Sequence, residues 1–385
     1  MHIVYLTNEY PTPNRPHGGV GTFVKFIATH LAAHGHLVSV IGFQKNVPFN
    51  GEPFLEEGVQ VYRLPISTWK TFRFWDHAHR LNQLLAKIHQ NSPIHIVEAS
   101  ELGLAFIQKA PGIRYLIRMH GGHHFFAESE KRKVHWWRGF QERRSFAKAD
   151  FMVGVSHYVA NQTAQLLNFD ATQVTVIPNP VNVNQFFMAN PDKMVRGRIV
   201  FVGTVCEKKG IRELCESMEI VAERVPHAQL WVIGRDWFFP NGDSYTNSLK
   251  KHLSSGALKI IEFMGPRPHE DLPSIIETAE VCAYPSYMEA MPLAWLEGLA
   301  MGKAVVASKT GPGPEIIVQN HTGMLCDPYS PQDIAEKILS ILENPEKSMA
   351  LGLAARSDFL ARFHPQKILE MNLTYYQGIT QKTLN

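Results

Sequence analysis

Charge is scarce in this chain. Of its 385 residues only 19% are Asp, Glu, Lys or Arg, and 38 basic against 35 acidic side chains leave a formal net charge of +3. So even a balance nominates no nucleic-acid partner. Cysteine is equally rare: Cys206, Cys215, Cys282 and Cys326 lie far apart, without CxxC spacing or the density of a disulfide-stapled scaffold. They read as buried thiols of a reducing compartment. No uninterrupted apolar run approaches the length of a bilayer span, and the opening MHIVYLTNEYPTP lacks the basic and long apolar regions of an export signal. A cytoplasmic protein is the expectation, and the glycosylation-type triplets at Asn161, Asn320 and Asn372 are then fortuitous.

What the chain does hold is material for cores. Hydrophobic residues make up 45%, and at about 150 residues per domain the length suggests two or three domains. Short β-branched runs alternate with amphipathic segments of helical length, the pattern of parallel sheets with crossover helices. The first series is IVYLT (3–7), LVSVIGF (37–43), VQVYRLP (59–65), IHIVEAS (94–100), YLIRMH (115–120), FMVGVS (151–156) and VTVIP (174–178). Between the first two, Phe23, Phe26, Ile27, His30 and Leu31 recur at helical steps, and Gly35 marks a stop. A proline- and asparagine-rich stretch without period, 179–198, reads as a boundary. A second series follows: RIVFVG (198–203), QLWVIG (229–234), LKIIEFMG (258–265), VCAYPS (281–286), AVVAS (304–308) and GMLCD (323–327). The expected organisation is an α/β protein of two doubly wound, Rossmann-like domains, 1–185 and 196–364. A C-terminal helix, 365–385, is expected to pack across their junction.

Open α/β sheets bind ligands at the carboxyl ends of their strands, so the loops after strands carry the candidates. After the first strand, Gly18, Gly19 and Gly21 lead into a helix, where backbone N–H groups can approach an anion. The spacing fails the dinucleotide fingerprint, since its third glycine falls at Val24, and Gly302-Lys303 lacks the context of a P-loop. Glu207-Lys208-Lys209-Gly210 follows the strand at 198–203 and sets a lysine where phosphate is neutralised, although a solvated charge cluster is the plainer reading. Arg118-Met-His120-Gly-Gly-His123-His124 ends another strand; without interleaved acid or cysteine, hydrogen bonding ranks above metal binding, and no metal site is assigned. Glu289 precedes a helix that Pro292 opens and Leu293, Leu296, Leu299 and Ala300 stripe; Glu297 lies inside it. Helical rise puts the two carboxylates roughly 10 Å apart, too far to share one bond but suited to two ends of an extended polar ligand. Alternatively they are a charge at a helix N-terminus and an exposed helix glutamate.

Taken together, Gly-Gly-Val-Gly, the histidine loop, Ser156, VIPNP at 176–180, Lys209-Gly210 and the Glu289-x7-Glu297 element resemble a retaining glycosyltransferase of family 4, group 1, over nearly the whole chain. The resemblance implies the GT-B architecture, with a nucleotide-sugar donor in a cleft between two Rossmann-like domains. It implies that Gly18 and Gly19 bring amides to the donor diphosphate and that Lys209 supplies its counter-charge. Glu289 meets hydroxyls of the transferred sugar, Glu297 those of the ribose, and His120 stands near sugar and acceptor. The segment Ala290, Met291 to Leu293 approaches sugar and phosphates, and Met264 to Arg267 lines the base. Most relatives carry Gly-Arg where this chain has Gly203-Thr204, leaving Lys208 or Arg235 to substitute; Pro178-Asn179-Pro180-Val181-Asn182 also departs from the usual boundary motif.

The expected reaction is front-face transfer of a hexose from a UDP- or GDP-linked donor to a hydroxyl of a glycan or lipid-linked acceptor, in polysaccharide biosynthesis. It needs no cofactor or metal, and Glu289, His120 and Lys209 are the catalytic candidates. Residues 128–148, with seven basic and three acidic side chains around Trp136, Trp137 and Phe140, suggest peripheral contact with an anionic membrane or else a helix whose aromatics face the core. Rival functions are a phosphorylase, a sugar-phosphate synthase, an epimerase, or a catalytically silent glycan-binding protein.

Overall fold

A computed structural model describes residues 1–11, 18–45, 47, 51–68 and 72–382. The chain divides into two units, Met1–Pro180 with Gln366–Asn385, and Val181–Pro365. The division falls inside the proline- and asparagine-rich stretch.

The first unit runs β1 (His2–Leu6), α1 (Gly19–Ala33), β2 (Leu37–Gln44), β3 (Phe54–Glu56), β4 (Val59–Pro65), α2 (Arg73–Asn91), β5 (Ile96–Ala99), β6 (Arg114–Met119), α3 (His123–Ser129), α4 (Trp136–Phe146), β7 (Phe151–Gly154), α5 (His157–Leu167) and β8 (Val174–Val176). Its sheet has the order β3-β4-β2-β1-β5-β6-β7-β8. All neighbours are parallel except the short edge strand β3, which pairs antiparallel with β4 and which sequence patterning does not reveal. Helix α1 shows how sequence sets an element. Phe23, Ile27 and Leu31, at four-residue steps, are buried on the sheet with Val24 and Ala28. It ends in a Schellman motif: Gly35 takes φ +79°, its N–H donates to Ala32 at 3.0 Å, and that of His36 to Leu31 at 3.1 Å.

The second unit comprises β9 (Arg198–Val202), α6 (Ile211–Arg224), β10 (Gln229–Ile233), α7 (Tyr245–His252), α8 (Ser255–Ile260), β11 (Ile261–Gly265), α9 (Leu272–Glu277), β12 (Val281–Tyr284), α10 (Leu293–Ala300), β13 (Ala304–Ser308), α11 (Gly313–Ile316), β14 (Met324–Cys326), α12 (Pro331–Leu342) and α13 (Pro345–Phe363). Its parallel sheet is ordered β11-β10-β9-β12-β13-β14. Strand β11 starts later than its sequence run suggests. Leu258 to Ile260 are helical, because the Ser254 hydroxyl caps the Ala257 N–H at 3.1 Å and starts α8. All four cysteines are free and buried.

The last helix, α14 (Pro365–Gln381), joins the first unit, where Ile368, Leu369, Tyr376 and Ile379 enter the core of Ile3, Tyr5, Phe23, Ile96 and Leu116. A polar network ties it there. Arg118 donates through Nε to Glu98 at 2.6 Å and through Nη2 to Asn372 Oδ1 at 2.6 Å. The Tyr376 hydroxyl donates to Glu98 at 2.6 Å and meets that of Tyr5 at 2.9 Å. The Arg118 guanidinium lies 4.6 Å from the centre of the Phe23 ring. Asn372 is completely buried in this network, which excludes it as a glycan acceptor in the folded protein.

Candidate functional site

In each sheet the strand order reverses beside the strand that opens the unit, at β1/β5 and at β9/β12. Loops diverge there and leave a crevice at the carboxyl ends of the strands. In the second unit those two loops deliver Lys209, after β9, and Glu289, after β12, and their side chains form an ion pair. Both are largely shielded, with side-chain exposures of 22% and 12%. Lys209 is therefore no solvated surface lysine.

The loop's approach depends on Gly210, which has φ +63°; a Cβ there would stand 1.9 Å from the Pro285 carbonyl oxygen. Gly311, at φ +65°, backs Glu289 in the same way: its Cβ would lie 3.3 Å from the Glu289 nitrogen. A second network braces the crevice. Tyr287 donates to Glu213 at 2.7 Å, its N–H donates to the Lys208 carbonyl at 2.9 Å, and Tyr245 donates to Glu207. These tyrosines were not expected as part of the site, since nothing in their spacing distinguishes them from core aromatics.

Glu297 lies one turn before the end of α10 and is only 4% exposed, which rules out the exposed-glutamate alternative. Its partner is His269, missed by the sequence reading, whose Nε2 lies 2.9 Å from Oε1. Gln185 donates from Nε2 to the His269 carbonyl at 2.9 Å and lies 3.1 Å from Nδ1. That favours the tautomer with its proton on Nε2, aimed at Glu297. Burial disfavours the charged ring, but the hydrogen bond and charge of Glu297 outweigh it, and the His269 pKa rises above its ordinary value. Pro292 is the N-cap residue of α10, with φ −75° and ψ 119°, and does not open the first turn; among the described residues no side chain caps this end. Ala290 and Met291 are buried just before it, and Leu293 is its first residue, partly exposed. As proline has no N–H, the amides available at this helix start belong to its neighbours.

Arg235, exposed after β10, donates through Nε to the Thr204 hydroxyl at 3.3 Å. Met264 is partly exposed in β11, and Arg267 is exposed beyond it.

The first unit assembles its own group. Gly18 is the N-cap residue of α1, without side-chain capping, and a Cβ there would meet the Glu9 carboxylate at 2.7 Å. Gly19 is exposed at the first helical position; residues 12–17 of the preceding loop lie outside the described residues. Phe23 of this helix packs on the His120 ring, centroid to centroid 5.2 Å. Burial and the neighbouring Arg118 lower the His120 pKa to about 3, so the ring is neutral at ordinary pH. The His120 main-chain N–H donates to Glu101 at 2.6 Å, and burial raises that carboxyl to about 8. The other two histidines have separate partners. His124 bonds through Nδ1 to Glu142, and His123 Nε2 accepts the His135 N–H at 3.0 Å. Beside β1, a cavity of about 370 Å³ is lined by Thr7, Asn8, Phe43, Phe74, His77 and Phe106, among others.

Comparison with known proteins identifies the family. Residues 17–185 match the model for Glycosyltransferase Family 4, and residues 186–358 the model for glycosyl transferases group 1. The chain belongs to glycosyltransferase family 4. It is 21% identical over 384 residues to the uncharacterized glycosyltransferase YqgM of Bacillus subtilis, covering 98% of each. Sucrose-phosphate synthase from Thermosynechococcus elongatus superposes with a TM-score of 0.84 at 20% identity, covering 99% of this chain and 100% of that one. HepE from Anabaena, crystallised with UDP-glucose, gives 0.75 at 17%, covering 98% and 100%. The fold is that of GT-B glycosyltransferases, and this family 4 enzyme, of the retaining group 1 kind, uses a nucleotide sugar.

Proposed function

We propose that this glycosyltransferase moves a hexose, with retained anomeric configuration, from a UDP- or GDP-linked donor to a hydroxyl of a glycan or lipid-linked acceptor, in polysaccharide assembly in the cytoplasm. The observation that carries the reading is the Lys209–Glu289 pair at the switch point of the second sheet. A largely shielded cation and carboxylate side by side suit a ligand with an anionic and a polyhydroxyl part. On binding, Lys209 exchanges its carboxylate partner for the diphosphate, and Glu289 accepts hydrogen bonds from sugar hydroxyls. Glu297, oriented by His269, takes the ribose hydroxyls. Arg235 beside Thr204 replaces the cation other members carry, and Met264 and Arg267 border the base. Amides at Gly18, Gly19 and around Ala290, Met291 and Leu293 meet phosphate and sugar, while neutral His120 hydrogen-bonds near the reacting hydroxyl.

The chemistry follows from charge. As the anomeric C–O bond breaks, its electron pair leaves with the nucleoside diphosphate, and the acceptor oxygen bonds to the same face of the sugar carbon. The acceptor proton passes to the departing phosphate oxygen. Lys209 and the amides are preorganised for the charge that grows on the leaving group. No enzyme nucleophile is required, since the glycosidase scheme needs two carboxyls about 5 Å apart flanking one bond. Titration calorimetry with UDP-, GDP- and ADP-linked sugars tests the donor side. Binding of one class, weakened about a hundredfold in Lys209→Ala, supports the reading, and binding of none overturns it. Transfer abolished by a chelator overturns the metal-free mechanism.

A further inference from the structure

The loop after β6 is held by two buried acids from different elements. Glu101 follows β5, the neighbour of β6 in the sheet. Glu142 belongs to α4, which buries Gly139, Glu142 and Ser145. The same helix turns Trp136 and Phe140 outward, 75% and 48% exposed, so the alternative in which these aromatics face the core is excluded. Glu101 is 3% exposed and Glu142 fully buried. Between them they take the main-chain N–H groups of the loop in order. Glu101 accepts from His120 at 2.6 Å and from Gly121 as well, and Glu142 accepts from His123 and His124, both at 2.9 Å. Gly122 sits between the two acids: a Cβ on it would stand 1.8 Å from Glu142 Oε1 and 3.0 Å from the Cγ of Glu101. Gly121 has no more room, with φ +98° and the Phe126 ring 2.7 Å from where its Cβ would be.

Two acids buried this close together are costly. Bonds to the loop amides offset part of that cost. The Glu101 carboxyl, held at about 8 by burial first and then by the charge of Glu142, stays uncharged at neutral pH, which removes repulsion between the two. The arrangement also closes the loop to anions, because the amides at the start of α3 already belong to Glu142. What the loop leaves accessible is the His120 ring. It is partly exposed, packs on Phe23 and makes no hydrogen bond of its own among the described residues. The ring therefore takes its direction from the held backbone and from Phe23.

We infer that Glu101 is a positioning residue for the transfer step: it fixes the main chain of His120 and Gly121, Glu142 fixes the turn that follows, and together they aim the His120 ring at the reacting hydroxyl. The inference rests on the role given to His120 in the glycosyltransfer reading. Its physical basis is preorganisation, in which a displacement of about 1 Å costs roughly a hundredfold in rate. The test compares Glu101→Gln and Glu101→Ala in the full chain, each alone and combined with His120→Ala. Gln is neutral and keeps an oxygen for the His120 N–H; Ala removes it. Kinetics are read as nucleotide release, with water as acceptor, from the UDP-, GDP- or ADP-linked sugar that binds in titration calorimetry. Glu101→Ala is expected to lower kcat about a hundredfold with donor KM unchanged, and Gln to recover most of that loss. Once His120 is Ala, Glu101→Ala should cost nothing further. Hydrogen exchange over 115–124 should quicken in Glu101→Ala and not in Glu101→Gln. Should Glu101→Ala fail to fold, Glu101→Asp, one methylene shorter, takes its place with the same loss expected. Losses that add to that of His120→Ala overturn the inference, as does an equal fall in Glu101→Gln. Unaltered kcat in Glu101→Ala with normal donor binding removes this inference alone, whereas absence of donor binding by the wild type removes the glycosyltransfer reading with it.

Discussion

Each unit brings a cation and a carboxylate together across its sheet, with opposite consequences. In the first, Arg118 and Glu98 are 1% and 3% exposed and share their remaining bonds with Asn372 and Tyr376. In the second, Lys209 and Glu289 retain access to solvent and sit on loops beyond the strand ends. The first pair is inside its strands and has paid its desolvation cost once, in folding. The second remains able to exchange its partner. Burial and position on the strand, rather than residue type, separate a structural lock from a candidate ligand site.

Substitutions sharpen that contrast. The largest effect is expected from Arg118→Leu, which strands Glu98 as an uncompensated buried charge and lowers stability by about 3–5 kcal/mol. Denaturant unfolding should show the loss; an unchanged midpoint would erase the distinction. Glu289→Ala should reverse the pattern, cutting kcat/KM about 10²- to 10³-fold with the thermal midpoint held, and near-normal turnover would remove it from the site. A smaller change is expected of His269→Ala: about tenfold in donor KM with little in kcat, the scale of one hydrogen bond to a charged group. Because the folded His269 pKa is raised, its stabilising proton is fully held below the ordinary value of 6.5 and lost as pH rises through the folded value. Thermal midpoints of wild type and His269→Gln should therefore differ most near pH 5 and converge in alkali. His120, with its pKa near 3, should add no inflection to the rate profile above pH 5.

Much of the architecture was legible because it is written in local periodicity. The strand Ala304–Ser308 coincides with its sequence run, and Gly35 ends α1 by the cap its position implies. The edge strand β3 was invisible, as its three residues are too few to show a period. Around the site, Lys209 and Glu289 could be named singly from the loops that carry them. Their pairing could not, because only the sheet order brings the two loops together. His269, Glu101 and Tyr287 carried no signal at all, since their partners are distant in sequence and lie in different elements. The outward turn of Trp136 was hidden for another reason: a buried glutamate with a histidine partner occupies the inward face that aromatics would ordinarily take.

The return of α14 to the first unit has a consequence for biosynthesis. Translation completes every strand of the first sheet well before it supplies Ile368, Asn372 and Tyr376. Until then Arg118 and Glu98 lack two of their companions, and the first unit waits, incompletely sealed, while the whole second unit is made. Domains usually mature in the order of their synthesis. Here the unit made earlier is finished only after the later one, and a stop codon that removes α14 injures the unit already made.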